Sequence, residues 1–166
     1  MFTGINILNF TKEFDSNTSC KEYLSKIKEE KGFICSKCEY NKYYNAKDYN
    51  RVCQKCYHRE SATAGTIFHH LRFGLLKAFY IVFEMSTTSK GMSSVQISKR
   101  YGITQKTAWY FMQKVRKAME SSKQYLMEGE VNVDEFVVGG KEENKQGRSY
   151  DTIKLKAIIA VELKDR

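Results

Sequence analysis

Four of the five cysteines stand in two matched pairs, Cys35-Ser36-Lys37-Cys38 and Cys53-Gln54-Lys55-Cys56, with 14 residues between them. No other feature of the chain restricts its folding as strongly. A C-x-x-C turn presents two thiolates on one side of a tight loop. A hairpin joining two such turns brings four sulfurs around one tetrahedral ion. Zn2+ suits that set, because it takes four soft ligands and has no redox chemistry of its own. The apolar residue before each pair, Ile34 and Val52, reads as a strand end, and Lys37 and Lys55 can place charge near the sulfurs. The alternatives are two disulfides, disfavoured in an intracellular basic chain, or a redox dithiol, which needs one pair rather than two. Four thiolates leave no coordination position open, so the metal is expected to hold structure and perform no catalysis. A small ribbon has little core, and metal binding on the order of 10 kcal/mol would then supply most of its folding energy. His58, His69 and His70 are competing ligands by type, but the cysteine set is complete without them. Cys20 is expected to pack against Tyr23, Leu24 and Ile27 in a short helix.

The net charge of +9 is unevenly placed. Residues 1–30 carry 4 basic and 5 acidic side chains, residues 31–130 carry 17 and 7, and residues 131–166 carry 7 of each. The excess belongs to the middle segment, a distribution that suits a polyanionic partner better than general solubility. No signal peptide is visible, and the apolar stretch Phe73 to Phe83 is about half the length of a membrane span. A soluble, cytoplasmic chain without a membrane partner is expected, associated with the bacterial nucleoid. Turns rely on Gly, Asn, Asp and Ser, because the chain has no proline.

Leu75 to Met85 is apolar on nearly every side and predicts a buried helix. Ser86 to Gly91 breaks the pattern. A second helix is expected from a cap at Ser93 or Ser94 to about Arg100. Gly102 then supplies a left-handed turn and Thr104 caps a third helix, which runs to about Glu120. On that helix Ala108, Phe111, Met112, Val115 and Met119 share one side and are expected in the core. Lys106, Tyr110, Gln113 and Lys117 share the other, with Trp109, Lys114 and Arg116 toward the flanks. The pattern is that of a helix-turn-helix over about 92–120, whose second helix enters the DNA major groove. Gln105, Lys106 and Tyr110 are the candidates for base contact, and Lys114 and Lys117 for phosphate. A solvated amphipathic face is the plainer alternative.

Composition changes near Gly129. Val131 to Val138 is rich in β-branched residues, ends at Gly139-Gly140 and reads as a strand. A polar loop from Lys141 to about Asp151 and a second strand over Lys154 to Leu163 complete an antiparallel pair. Asp134 lies inside the first strand, where burial would be costly without compensation such as a divalent metal. Taken alone, an exposed edge position is the commoner explanation of such a residue.

Several stretches, in this order, resemble the ISXO-like insertion-sequence transposases that carry an N-terminal zinc ribbon. They are Cys20-Lys21-Glu22-Tyr23-Leu24, Gly32-Phe33-Ile34-Cys35-Ser36-Lys37-Cys38 and Thr63-Ala64-Gly65-Thr66-Ile67-Phe68-His69. Lys106-Thr107-Ala108-Trp109 and Val133-Asp134-Glu135 through Val138-Gly139-Gly140-Lys141 follow. The resemblance implies a DDE-type enzyme on a ribonuclease-H-like fold, in which three carboxylates hold two Mg2+ or Mn2+ ions for attack on phosphodiester bonds. It aligns Asp134 with the first of those carboxylates and implies double-stranded DNA, at the terminal inverted repeats, as the partner of a homo-oligomer. Glu135 belongs to the strand signature without being a metal ligand.

The expected fold is therefore α+β in several parts: a helical lead-in over 1–30, a zinc ribbon over 31–68 and a helical DNA-binding region over 69–128. The start of a ribonuclease-H-like sheet follows over 129–166. Two departures stand out. Ser36 and Glu39 occupy places where the family usually has proline and glycine. The second and third carboxylates of relatives lie well downstream, and Asp151, Glu162 and Asp165 are too close in sequence to replace them. The chain is thus expected to be the front part of such an enzyme and inactive alone. Competing expectations are a non-catalytic DNA-binding regulator or transposition inhibitor, and a zinc-dependent protein-interaction module, which the basic middle segment disfavours.

Overall fold

The computed structural model describes residues 6–120, 126–139 and 155–163. Among these it is mixed α and β, with five helices and two small antiparallel sheets. The chain divides into two compact units, Met1–Glu120 and Ser121–Arg166.

The first unit opens with α1 (Ile7–Glu13) and α2 (Asn17–Glu30). Asn6 caps α1, and Ser16 with Ser19 forms a reciprocal capping box on α2, so each helix start satisfies its own orphan N–H groups. Strands β1 (Tyr43–Asn45), β2 (Arg51–Cys53) and β3 (Arg59–Glu60) form an antiparallel sheet in that order, with Tyr43 opposite Cys53 and Val52 opposite Arg59. Val52 lies inside β2, as its place before a cysteine pair suggests. Ile34 does not end a strand: it is 72% exposed in irregular chain. The first knuckle is closed by its own turn and needs no strand before it.

The core is built around α3 (Leu75–Thr87), which buries Ala78, Phe79 and Ile81 completely. Phe10, Cys20 and Leu24 from the first two helices and Phe14, the C-cap of α1, pack into the same cluster, and so does Phe68, stacked on Phe79 at 4.6 Å. The last two helices, α4 (Ser94–Tyr101) and α5 (Gln105–Met119), close the core from the other side with Ile97, Ala108, Phe111, Met112 and Val115. Met119 is a correction to the helical wheel. It is 59% exposed, because the buried stripe of α5 ends at Val115 and the last turn has no core opposite it.

The second unit contains β4 (Val131–Val138) and β5 (Leu155–Glu162), antiparallel with Val131 opposite Glu162 and Asp134 opposite Ile159. The polar loop expected from Lys141 to Asp151, with Gly140, lies outside the described residues. Asp134 is exposed in this pair, so the burial cost that would call for a compensating metal is absent.

Candidate metal centre and nucleic-acid interface

The two cysteine pairs adopt one local design. The Cys35 N–H donates to Tyr40 O at 2.9 Å and the Glu39 N–H donates back to Cys35 O at 2.9 Å. In the second turn the Cys53 N–H donates to His58 O at 3.0 Å and the Tyr57 N–H to Cys53 O at 3.0 Å. Each knuckle is thus pinned at equivalent places, four and five residues beyond its first cysteine. Glu39 and Tyr57 both take the left-handed backbone that closes such a turn, at φ 59° and 57°.

The sheet brings the knuckles together crosswise. Cys35 Sγ lies 3.5 Å from Cys56 Sγ, and Cys38 Sγ lies 3.6 Å from Cys53 Sγ. All four sulfurs are within 4.8 Å of one another. Thiolates about 2.3 Å from a central ion at tetrahedral angles would be about 3.8 Å apart, so the cage has the size a metal ion requires. The cysteines are free, with Cys35 and Cys53 buried, and Phe33, Tyr40 and Tyr43 pack around the sulfurs.

The thiols are electrostatically inequivalent. Burial works to raise Cys53, but the backbone N–H groups of Cys56 and Lys55 and the sulfurs of Cys38 and Cys56 outweigh it and bring the thiol down to about 6. At Cys38 the backbone hydrogen bond with Tyr40 lowers the thiol, yet burial and the neighbouring sulfurs push it up to about 12. One negative sulfur thus resists the next, and a bound cation would relieve that repulsion.

None of the three histidines joins the cluster. His58 lies nearest in sequence and shares a 3.3 Å hydrogen bond with Ser36 Oγ, a bridge between the two knuckles. The rings of His69 and His70 meet at 3.8 Å between centroids, tilted by 49°. Cys20 is fully buried in the helical core beside Leu24, and burial pushes its thiol up to about 11.

The helix pair has its own local logic. Ser93 caps α4, Gly102 closes it with φ 59° and ψ 45°, and Thr104 caps α5. The Ile103 N–H and Ser98 O meet at 3.2 Å, and Ser98 Oγ donates to Ile103 O at 2.6 Å. Two contacts fix the pair to α3: Arg100 with Glu84 at 2.6 Å, and Lys77 Nζ donating to Tyr101 O at 2.8 Å.

With its inner face packed, α5 leaves Gln105, Lys106, Trp109, Tyr110, Lys114 and Lys117 exposed. Trp109 and Tyr110 meet edge to face at 5.0 Å, so Trp109 belongs to the open face. Gln113 is half-buried and sits at the margin of that face. Lys114 departs further from the free phosphate contact expected of it, because its Nζ donates to His69 O at 3.0 Å. That bond ties the 69–73 segment to α5. A cavity of about 550 Å³ lies between them, lined by His70, Arg72, Phe73, Lys106, Tyr110 and Lys114 among others. Arg72 thereby joins the basic face. A lone arginine between apolar residues gave no periodic signal in the sequence, and only the path of the chain brings it beside α5.

No group of three or more metal-ligating side chains includes Asp134 among the described residues. No helix among the described residues is long and apolar enough to cross a membrane. Comparison with family models, with curated proteins and with solved structures finds no match.

Proposed function

We propose that this chain binds double-stranded DNA through α5, as the end-recognition part of an insertion-sequence transposase, with a structural zinc ion in the four-cysteine cage. The observation that carries the DNA reading is the α4–Gly102–α5 arrangement. Both helices are capped, the inner stripe is buried, and the outward face combines Lys106, Trp109, Tyr110 and Lys117. In a helix-turn-helix that face lies in the major groove, with residues of its first turns at the base edges. Gln105, Lys106 and Tyr110 hold those places, and Arg72 and Lys117 suit flanking phosphates. Zinc is favoured over other metals because the ligand set is four thiolates in a closed tetrahedral cage.

The transposase reading rests on the ordered stretches that resemble the ISXO-like family and on Asp134, which that resemblance aligns with the first carboxylate of a Mg2+ or Mn2+ site. Cutting and joining of DNA belong to that enzyme, with homo-oligomeric assembly on paired ends.

Selection of duplexes from a random pool, followed by binding titrations at several salt concentrations, tests the proposal. A single preferred sequence should emerge, and log K should fall with log salt at about −0.9 per phosphate contact. Lys106→Ala should relax the preference, whereas Lys117→Ala should weaken all sequences alike. Equal effects would remove the docking of α5. Occurrence of the selected sequence as inverted repeats flanking the chain's own coding region would support end recognition. Its absence there, with tight binding retained, would favour the regulator.

A further inference from the structure

Arg51 is the buried charged residue among those described, only 4% exposed at the start of β2. One Nη donates to Gly32 O at 3.2 Å, while Nε and the other Nη have no hydrogen-bond partner among the described residues. The guanidinium lies over two rings, 4.9 Å from the centroid of Tyr43 and 5.8 Å from that of Phe33. No carboxylate pairs with it among the described residues. A guanidinium does not shed its proton, and an uncompensated buried cation is strongly disfavoured. Some anion must offset it.

The strand register indicates which. Arg51 and Cys53 are two apart on β2, so their side chains leave the same face with Cα atoms about 6.6 Å apart. Tyr43 pairs directly with Cys53 and therefore shares that face, with Arg51 over its ring. Phe33 packs with Cys35 and Cys53 in one cluster and touches Tyr43 at 4.8 Å between ring centroids. The guanidinium thus lies on the two rings that wall the sulfur cage. Four thiolates around a dication carry two negative charges more than the ion cancels, inside a largely apolar surround.

We propose that Arg51 is the built-in counter-charge of the metal centre, and that it raises metal affinity by offsetting the excess negative charge of the tetrathiolate. The proposal rests on the metal reading of the cage. Arg51 acts through the ligands and touches no ion, so it is a positioning residue. Its two aromatic neighbours hold the charge in place by cation–π contact.

The test uses the full chain, loaded with Zn2+ or with Co2+ as an optical reporter, and measures affinity by competition with a chromophoric chelator. Arg51→Met keeps the length and the contact with both rings but removes the charge. Arg51→Lys keeps the charge but not the planar stack. The proposal expects one ion per native chain, a loss of affinity of roughly ten- to a hundredfold in Arg51→Met, and near-native affinity in Arg51→Lys. The Co2+–thiolate absorption should keep its tetrahedral form in both variants. Native affinity in Arg51→Met, or an equal loss in Arg51→Lys, would make Arg51 a packing residue and overturn the proposal. If the native chain itself takes up no ion, the metal reading falls, and the native arm shows that separately from either variant. Should Arg51→Met fail to fold, Arg51→Gln removes the charge in its place, with the same loss expected and native affinity again overturning the proposal.

Discussion

Glu39 and Tyr57 occupy equivalent places in the two knuckles and share a left-handed backbone. An L side chain in that region crowds a carbonyl oxygen at a cost of roughly 1–2 kcal/mol, which glycine avoids. Glycine returns part of the gain, about 0.5–1 kcal/mol, through the greater freedom of the unfolded chain. Glu39→Gly and Tyr57→Gly should therefore each stabilise the metal-loaded protein by about 0.5–1 kcal/mol, read as a rise in Tm by calorimetry. A fall would show that the side chain contributes more than its backbone strain removes. Position 39 was visible beforehand as a departure from the glycine of the resembling family, but position 57 was not. The equivalence of the two positions emerges from the paired hydrogen bonds of the knuckles. Arg51 was silent in the sequence for a related reason: a basic residue beside a β-branched one reads as surface, and its burial follows from the rings of Phe33 and Tyr43 closing over it.

At the scale of elements, most helix ends are local affairs. Ser16, Ser93 and Thr104 cap from the adjoining position; the cap at Thr104 and one at Ser93 or Ser94 were legible in the sequence, whereas Ser16 was not read as one. The start of α3 is different. Gly74 offers no side-chain cap, and the Leu76 N–H instead donates to Asn17 Oδ1 at 2.9 Å, from 59 residues away. Asn17→Ala should cost about 0.5–1 kcal/mol, measured as a lower urea midpoint with unchanged slope. No change would mean that water serves the Leu76 N–H equally well at this exposed site. The misplaced Met119 has the same origin as the unforeseen Asn17 contact. Periodicity identifies a face of a helix, whereas the depth to which that face is covered depends on the length of its neighbours.

Within the first unit, two hydrophobic clusters form separately. The larger surrounds α3 and draws on all five helices, and the smaller consists of Phe33, Cys35 and Cys53 with the surrounding aromatic residues. Few apolar side chains hold the smaller one, so the ion is expected to be its main support. The two are linked by polar contacts such as Lys28 with Glu60 at 2.7 Å, where Lys28 also donates to Ser61 O at 3.0 Å. Chelation of the metal should therefore raise amide exchange across residues 33–60 while leaving α3 and α5 protected. Uniform acceleration throughout the unit would instead make the sulfur cage a support of the helical core.

Spacing alone determined the four sulfurs as one set, the bounds of α4 and α5, the turn at Gly102 and the strand character of residues 131–138. Each depends on neighbours within a few positions, where covalent geometry, capping and periodicity act directly. Tertiary structure decided the rest. It buried Arg51 against the rings of Phe33 and Tyr43, tied Lys114 to His69, brought Arg72 onto the face of α5 and left Asp134 open in its strand pair. Those outcomes depend on which distant surfaces exclude water from one another, and that exclusion is a property of the packed chain rather than of any short stretch of it.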